Sequence, residues 1–155
     1  MTHLSKGDQA PSFSGKNEHG EEIKLSDYAG KRLVLYFYPK DMTPGCTTES
    51  CNLRDNYDRL KEKGFEVLGV SADNESRHTK FIAKHELPFH LLADTEKEVI
   101  NAYGVWGPKK FMGREFDGIH RTTFVIDGNG QIEAVFKKVK TKAHTEQILE
   151  ALEEA

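Results

Sequence analysis

The sequence predicts an α/β fold with a central mixed sheet flanked by helices, and three observations predict it. The apolar runs Leu33 to Tyr38 and Phe65 to Ser71 are of strand length and lie on either side of a helical stretch, which gives a strand, helix, strand unit of the length of a right-handed crossover between parallel strands. Two β-prone segments, Arg121 to Asp127 and Gln131 to Lys137, flank Asp127-Gly128-Asn129-Gly130, a strong hairpin signal. Residues Gly15 to Lys24, with Asn17 and Gly20 near the middle, read as an N-terminal β-hairpin.

The remaining elements follow in order. Ala10-Pro11-Ser12-Phe13 opens the domain, and Ser26 to Gly30 is a short turn or helical stub before the first long strand. Pro39 ends that strand. A helix then starts near Pro44 or Gly45 and runs to Lys63, where Gly64 supplies a left-handed C-terminal residue. Asn74 to His85 reads as a helix, and Pro88 breaks the chain before a short strand, Phe89 to Leu92. Thr95 to Tyr103 is a further helix, with Thr95 as its cap and Glu98 in the capping-box position. Gly107 to Gly118 is the least regular stretch, and Thr141 to Glu154 closes the chain as a helix with Ile148, Leu149 and Leu152 inward.

With 155 residues the chain, 1–155, suits one domain with a sizeable core. Its 22 basic and 25 acidic residues give a formal charge of −3, with no basic block suited to a phosphate backbone, so nucleic acid is not an expected partner. The first residues, Met1 to Asp8, lack the apolar core of a signal peptide, and no later run approaches the roughly 18 apolar residues of a membrane span. A cytoplasmic protein, without a membrane partner and monomeric, is the expectation. Two cysteines in such a compartment are redox-active or inert rather than a permanent bridge.

Both cysteines fall in one stretch, Pro39 to Cys51, at the strand-to-helix transition. With Thr43 as N-cap and Pro44 in the first helical position, Cys46 lies in the first turn, where unpaired amides and the positive end of the dipole favour an anion. Such a placement turns a thiol into a nucleophile. Gly45 lets the backbone approach closely whatever the loop surrounds. Cys51 is five residues on. In an unbroken helix that offset gives about 140° of rotation and Cα atoms roughly 8.7 Å apart, whereas a disulfide needs about 4.4 to 6.8 Å. The two could therefore bond only if the first turns unwound. Cys46 shares the apolar stripe of Leu53, Tyr57 and Leu60, while Cys51 falls among Arg54, Asp55 and Asp58, so one thiol faces a protected pocket and the other the outside.

The segment Pro39-xxx-Thr43-xx-Cys46 resembles the Pro-xxx-Thr-xx-Cys signature of the peroxiredoxins, and Tyr36 to Asp55 with the second cysteine at this offset is similar to their peroxiredoxin Q or bacterioferritin comigratory protein branch. The likeness continues through Gly104-Val105-Trp106-Gly107, Phe111-Met112-Gly113 and Gly118 to Asp127. It implies a thioredoxin-like fold and a thiol peroxidase with no metal or organic cofactor. It further implies that Cys46 attacks a hydroperoxide and becomes a sulfenic acid, that Cys51 resolves it as a disulfide, and that thioredoxin or a similar dithiol protein reduces the bond. Pro39, Thr43 and Arg121 match the other active-site positions. Thr43 and Arg121 would donate hydrogen bonds where charge moves, Arg121 would favour the thiolate, Pro39 would shield the site, and Glu49 is a candidate to orient the arginine.

Plainer readings stand beside these. Cys46 can be a buried small hydrophobe, Thr43 only a cap, and Arg121 a surface ion-pair residue. Cys46, Cys51, His85 and His90 have nominal Cys₂His₂ gaps, but too much chain separates the pairs for a zinc finger. A Cys–His hydrolase would need a base; His120 adjoins Arg121 and should point to the opposite face, and His78 and His85 sit on a largely polar helix and read as solvated. Trp106 and Phe111 read as packing residues. Thiol–disulfide exchange without peroxidase activity favours Cys-x-x-Cys, and a non-enzymatic redox sensor is the third class.

Overall fold

The structure, a computed structural model, describes residues 2–152. Strand β3 (Arg32–Phe37) sets the architecture, because its side chains are apolar on both faces. Leu33, Leu35 and Phe37 point into one core cluster, while Val34 and Tyr36, with Tyr38 just beyond, point into the other. A strand apolar on both sides belongs at the centre of a covered sheet. The order is β5-β4-β3-β8-β9, with β4 (Phe65–Ser71), β5 (His90–Ala93), β8 (Thr122–Ile126) and β9 (Ile132–Phe136). β3, β4 and β5 run parallel, β8 is antiparallel to β3 and β9 antiparallel to β8, so the sheet is mixed as expected. Helices α1 (Pro44–Asp55), α2 (Tyr57–Glu62), α3 (Glu75–His85) and α5 (His144–Ala151) supply Leu53, Leu60, Phe81 and Ile148 to the cluster on the Tyr36 face. The short α4 (Glu98–Ala102) and the N-terminal hairpin of β1 (Ser14–Lys16) and β2 (Glu22–Lys24) cover the other.

Several boundaries differ from the sequence reading for local reasons. The cysteine helix does not run unbroken to Lys63, because the side-chain amide of Asn56 donates to the Asn52 carbonyl at 2.8 Å and takes the place of its own backbone N–H. Gly64, at φ 85°, occupies the left-handed position after α2. Thr95 does not cap α4. The helix starts at Glu98 after Lys97 at φ 60°, makes no side-chain cap bond there, and the Asp94 carboxylate instead accepts from the Ile100 amide at 2.7 Å. Gly107 to Gly118 is not irregular: β6 (Trp106–Phe111) and β7 (Arg114–Ile119) form an antiparallel hairpin. Positive φ at both Met112 and Gly113 marks a two-residue turn of the type that fits strand twist. The closing helix opens as a 3₁₀ turn, Thr141–Ala143, before α5; Leu152 packs inward as expected, and Glu154 lies outside the described residues. Among the described residues no helix is long and apolar enough to cross a membrane.

Candidate active site

Cys46 sits where the sequence places it. Thr43 is the N-cap of α1 with extended backbone, φ −88° and ψ 153°, Pro44 follows as the first helical residue, and Cys46 lies in the first turn with only 1% of its surface exposed. Thr43 makes no side-chain cap bond; its hydroxyl donates to the Lys40 carbonyl at 2.8 Å, closing the loop rather than the helix. Pro39 is half-buried at the bend between β3 and that loop.

Arg121 lies between β7 and β8 and reaches across to α1. Its Nη2 donates to Cys46 Sγ at 3.2 Å and its Nη1 to Glu49 Oε1 at 2.6 Å. One guanidinium therefore holds two acids on one helix, with the fixed fork setting the angle between them. Gly45 makes room for this: a Cβ there would stand 3.2 Å from Arg121 Nη2. His120, also in the segment between β7 and β8 rather than on a strand, donates from Nε2 to the Pro108 carbonyl at 3.0 Å instead.

Glu49 is fully buried, and burial pushes its carboxyl up to about 7 even though the charge and hydrogen bond of Arg121 pull it down. Burial works against the charge on Arg121 too, but Glu49 and Cys46 more than offset it and its pKa is raised. Behind Glu49 stands a residue that sequence reasoning missed, His144, buried at the first turn of α5 with Nε2 3.6 Å from Glu49 Oε2. Its only sequence signal is a histidine among the apolar positions of a terminal helix.

His78 is not solvated. It is fully buried, and its Nε2 donates to the Leu92 carbonyl at 3.0 Å while Nδ1 meets Asp41 Oδ2 at 2.6 Å. Asp41 is within the cysteine loop, and three more bonds pin it: Tyr38 Oη donates to its Oδ1, its own amide donates to Asp73 Oδ2, which Ser71 Oγ holds in turn, and Arg77 Nη2 donates to the Asp41 carbonyl. The Pro39-to-Thr43 loop is thus tied to the start of α3. Asp41, Asp73 and His78 bring ligand-type atoms within 4.8 Å of one another, and those atoms hydrogen-bond among themselves and to their neighbours. Cys46, Cys51, His85 and His90 form no such group among the described residues; His90 pairs with Glu18 at 2.7 Å and His85 lies edge-on to Phe81.

Both cysteines are free thiols, Cys46 buried and Cys51 half-buried. They share the unbroken α1, so helical geometry holds them roughly 8.7 Å apart at Cα, beyond bonding range. Just past Cys51 the helix is anchored. Asn52 Oδ1 accepts from the Thr145 amide at 2.8 Å and its Nδ2 donates to the Lys142 carbonyl at 3.0 Å, so one side chain ties α1 to the start of α5.

Comparison with known proteins places the chain in a family. The AhpC/TSA family profile matches residues 6–135. Peroxiredoxin Bcp of Escherichia coli strain K12 is 48% identical over 154 residues, covering 99% of each chain. Peroxiredoxin Bcp of Bacillus subtilis strain 168 is 49% identical over 148 residues, covering 96% of this chain and 94% of the other. Among solved structures, a cysteine-to-serine mutant of Xylella fastidiosa PrxQ superposes with a TM-score of 0.91 at 32% identity, covering 99% and 98% of the two chains. A Xanthomonas campestris Bacterioferritin Comigratory Protein structure, described in terms of alkyl peroxide reduction activity, gives 0.84 at 35% identity, covering 91% and 90%. The fold is that of the thioredoxin-like peroxiredoxins, and the chain belongs to the AhpC/TSA family, within it to the Bcp peroxiredoxins.

Proposed function

We propose that this chain, as a single-domain cytoplasmic monomer, reduces hydrogen peroxide and organic hydroperoxides with Cys46 as the attacking thiolate and Cys51 as the resolving thiol, needing no metal or organic cofactor. The observation that carries the reading is the Arg121 fork, with one arm on Cys46 Sγ and the other on buried Glu49, at the start of a helix. Such an arrangement stabilises an anion on sulfur and leaves donors beside it for the oxygen that departs. The S–O bond forms as the O–O bond breaks, the hydroperoxide's proton stays on the sulfenic oxygen, and the leaving alkoxide or hydroxide takes a proton. The thiol of Cys51 then attacks the sulfenic sulfur, its proton passes to the departing sulfenic oxygen, water leaves and a disulfide remains. Thioredoxin or a similar dithiol protein returns both thiols by exchange.

Thr43 enters this scheme through its oxygen. Its proton is committed to the Lys40 carbonyl, so the hydroxyl accepts from the hydroperoxide O–H in this rotamer and donates only after rotating. Pro39 shields the sulfur and offers no competing N–H. The second half-reaction needs the turns between Cys46 and Cys51 to melt, since the folded helix keeps the two sulfurs apart.

The test is peroxide consumption coupled to thioredoxin, its reductase and reduced nicotinamide cofactor. Cys46→Ser should abolish turnover. Cys51→Ser should still be oxidised once by peroxide but fail to cycle unless an external thiol resolves it. Full cycling by either variant removes that cysteine from the mechanism, and oxidation without turnover in the unaltered protein would point to a redox sensor.

A further inference from the structure

Five titratable groups face the inner carboxylate oxygen of Glu49 or the guanidinium it binds: Cys46 from α1, Tyr36 from β3, Lys109 from β6, whose ammonium donates to the Ile119 carbonyl at 2.8 Å, Arg121 from the segment before β8 and His144 from α5. Tyr36 stays neutral, because burial raises it well above the ordinary value, and its hydroxyl is taken by Ser50 at 2.9 Å. The guanidinium of Arg121 is thus shared by two acids, with the Lys109 ammonium committed to a backbone carbonyl. Glu49 Oε2 is buried and has no hydrogen-bond partner among the described residues, an expensive arrangement for a bare carboxylate oxygen.

The tautomer of His144 follows from its neighbours. Gln147 Oε1 accepts from the Lys140 amide at 3.0 Å and its Nε2 donates to the Lys138 carbonyl at 2.8 Å, which fixes the amide orientation. His144 Nδ1, 3.0 Å from that Oε1, therefore carries the ring proton. Burial, with the Gln147 bond opposing it and the charge of Arg121 adding to it, holds the imidazole down to about 4, so the ring is neutral and Nε2 is a bare acceptor. It faces the Thr123 hydroxyl at 2.8 Å and Glu49 Oε2 at 3.6 Å.

We propose that His144 is a positioning residue for the peroxide reaction: its Nε2 accepts a hydrogen bond from protonated Glu49 Oε2, keeping that carboxyl neutral and leaving the charge of Arg121 to the sulfur of Cys46. Thr123 fills Nε2 when Glu49 is ionised and yields it when Glu49 is protonated. When sulfur gives up its negative charge to become a sulfenic acid, Arg121 no longer has a thiolate to serve. Glu49 then ionises against it and releases one proton, matching the one that the leaving alkoxide takes up. The inference rests on Cys46 being the oxidised thiol, and its test scores that oxidation separately.

Glutamine can place an acceptor where Nε2 lies; asparagine, which ends where Nδ1 lies, cannot. In a Cys51→Ser background, one equivalent of hydrogen peroxide is mixed at pH 6, where a carboxyl at about 7 is mostly protonated, in weak buffer with a pH indicator, and Cys46 sulfenate is counted by mass. His144→Gln should keep the parent's oxidation rate and its near-zero proton uptake per sulfenate. His144→Asn should slow oxidation by about tenfold, as loss of one hydrogen bond to an ionisable group implies, and should take up close to one proton. Glu49→Gln, which cannot ionise, should also take up close to one proton, and this arm decides the matter if His144→Asn does not fold. Equal proton uptake in the parent and Glu49→Gln, or His144→Gln behaving as His144→Asn, overturns the proposal. Absence of sulfenate in the parent overturns the role of Cys46 instead.

Discussion

Removing one hydroxyl should loosen the peroxide-reacting helix without touching the reacting groups. Ser50 Oγ and Tyr36 Oη are 2.9 Å apart, and both residues are fully buried on the α1 side of the sheet. Ser50→Ala leaves the tyrosine hydroxyl without its partner while α1 is wound. Melting the first turns would open Tyr36 towards water, so the penalty falls on the wound state alone. An orphaned buried hydroxyl costs about 1 to 2 kcal/mol, which raises the melted population, and with it the rate of Cys46–Cys51 bond formation, roughly 5- to 30-fold. Tyr36→Phe should do less, because the Ser50 hydroxyl can turn back to a carbonyl of its own helix. The assay oxidises reduced protein with one equivalent of peroxide, quenches samples at intervals with acid, and counts free thiols and disulfide by alkylation and mass. Faster resolution should also shorten the life of the sulfenate and protect Cys46 from sulfinic acid at high peroxide. A Ser50→Ala protein that has lost 1 kcal/mol of stability and yet forms the disulfide within twofold of the parent rate would show that melting of α1 does not gate resolution.

Two further perturbations separate packing from chemistry. Gly45→Ala should raise helix stability by a few tenths of a kcal/mol while pushing Arg121 Nη2 off its 3.2 Å contact, so the second-order rate with peroxide falls as the melting temperature holds or rises; a rate equal to the parent's would mean that Arg121 is not held by that contact. Glu18 and His90 give a pH signature remote from the site. The Glu18 bond raises His90 against burial, and Glu18 itself is lowered despite burial by the same bond and backbone amides. The pair's stabilisation is therefore full below about pH 6.5, is lost as pH rises through the folded pKa of His90, and is lost again as pH falls below the carboxylate range. His90 is half exposed, so the effect is screened. Melting temperature should rise between pH 8 and pH 6, His90→Gln should flatten that rise, and an identical rise in the variant would assign it elsewhere.

The sheet was legible because β3 and β4 are continuous apolar runs, and the β8–β9 turn was legible because Asp127-Gly128-Asn129-Gly130 admits little else. Cys46 and Arg121, 75 residues apart in sequence, were linked by family resemblance rather than by any local pattern. The β6–β7 hairpin escaped notice for a physical reason. Its strands are largely exposed, Phe111 and Phe116 face outward at 66% and 47%, and methionine in a left-handed turn position carries no turn signal. His78 escaped for a different one. Polar neighbours on α3 suggested a wet face, but a loop 37 residues away supplies Asp41 and turns the histidine into a buried tie. Long-range partners of single polar residues leave no period to read.

The position of Cys51 is best understood through what holds each half of α1. From Cys46 to Ser50 only Cys46 joins the apolar cluster, and the other ties are polar: the Arg121 fork on Cys46 and Glu49, the approach of His144 to Glu49, and the Tyr36 bond to Ser50. Thr48 turns its hydroxyl back to the Pro44 carbonyl at 2.9 Å, a contact that bends and slightly weakens a helix. From Asn52 on the ties are of another kind, since Asn52 caps α5 and Leu53 is fully buried in the core. Melting the first part returns about 1 to 2 kcal/mol of backbone entropy per residue released, which offsets much of what the lost helix bonds contribute. The buried polar ties therefore decide the balance, and in the proposed reaction oxidation of Cys46 would weaken the one it makes with Arg121. A resolving cysteine one turn further along would need the α5 cap and the Leu53 core to open as well, whereas Cys51, the last residue before that anchor, needs neither.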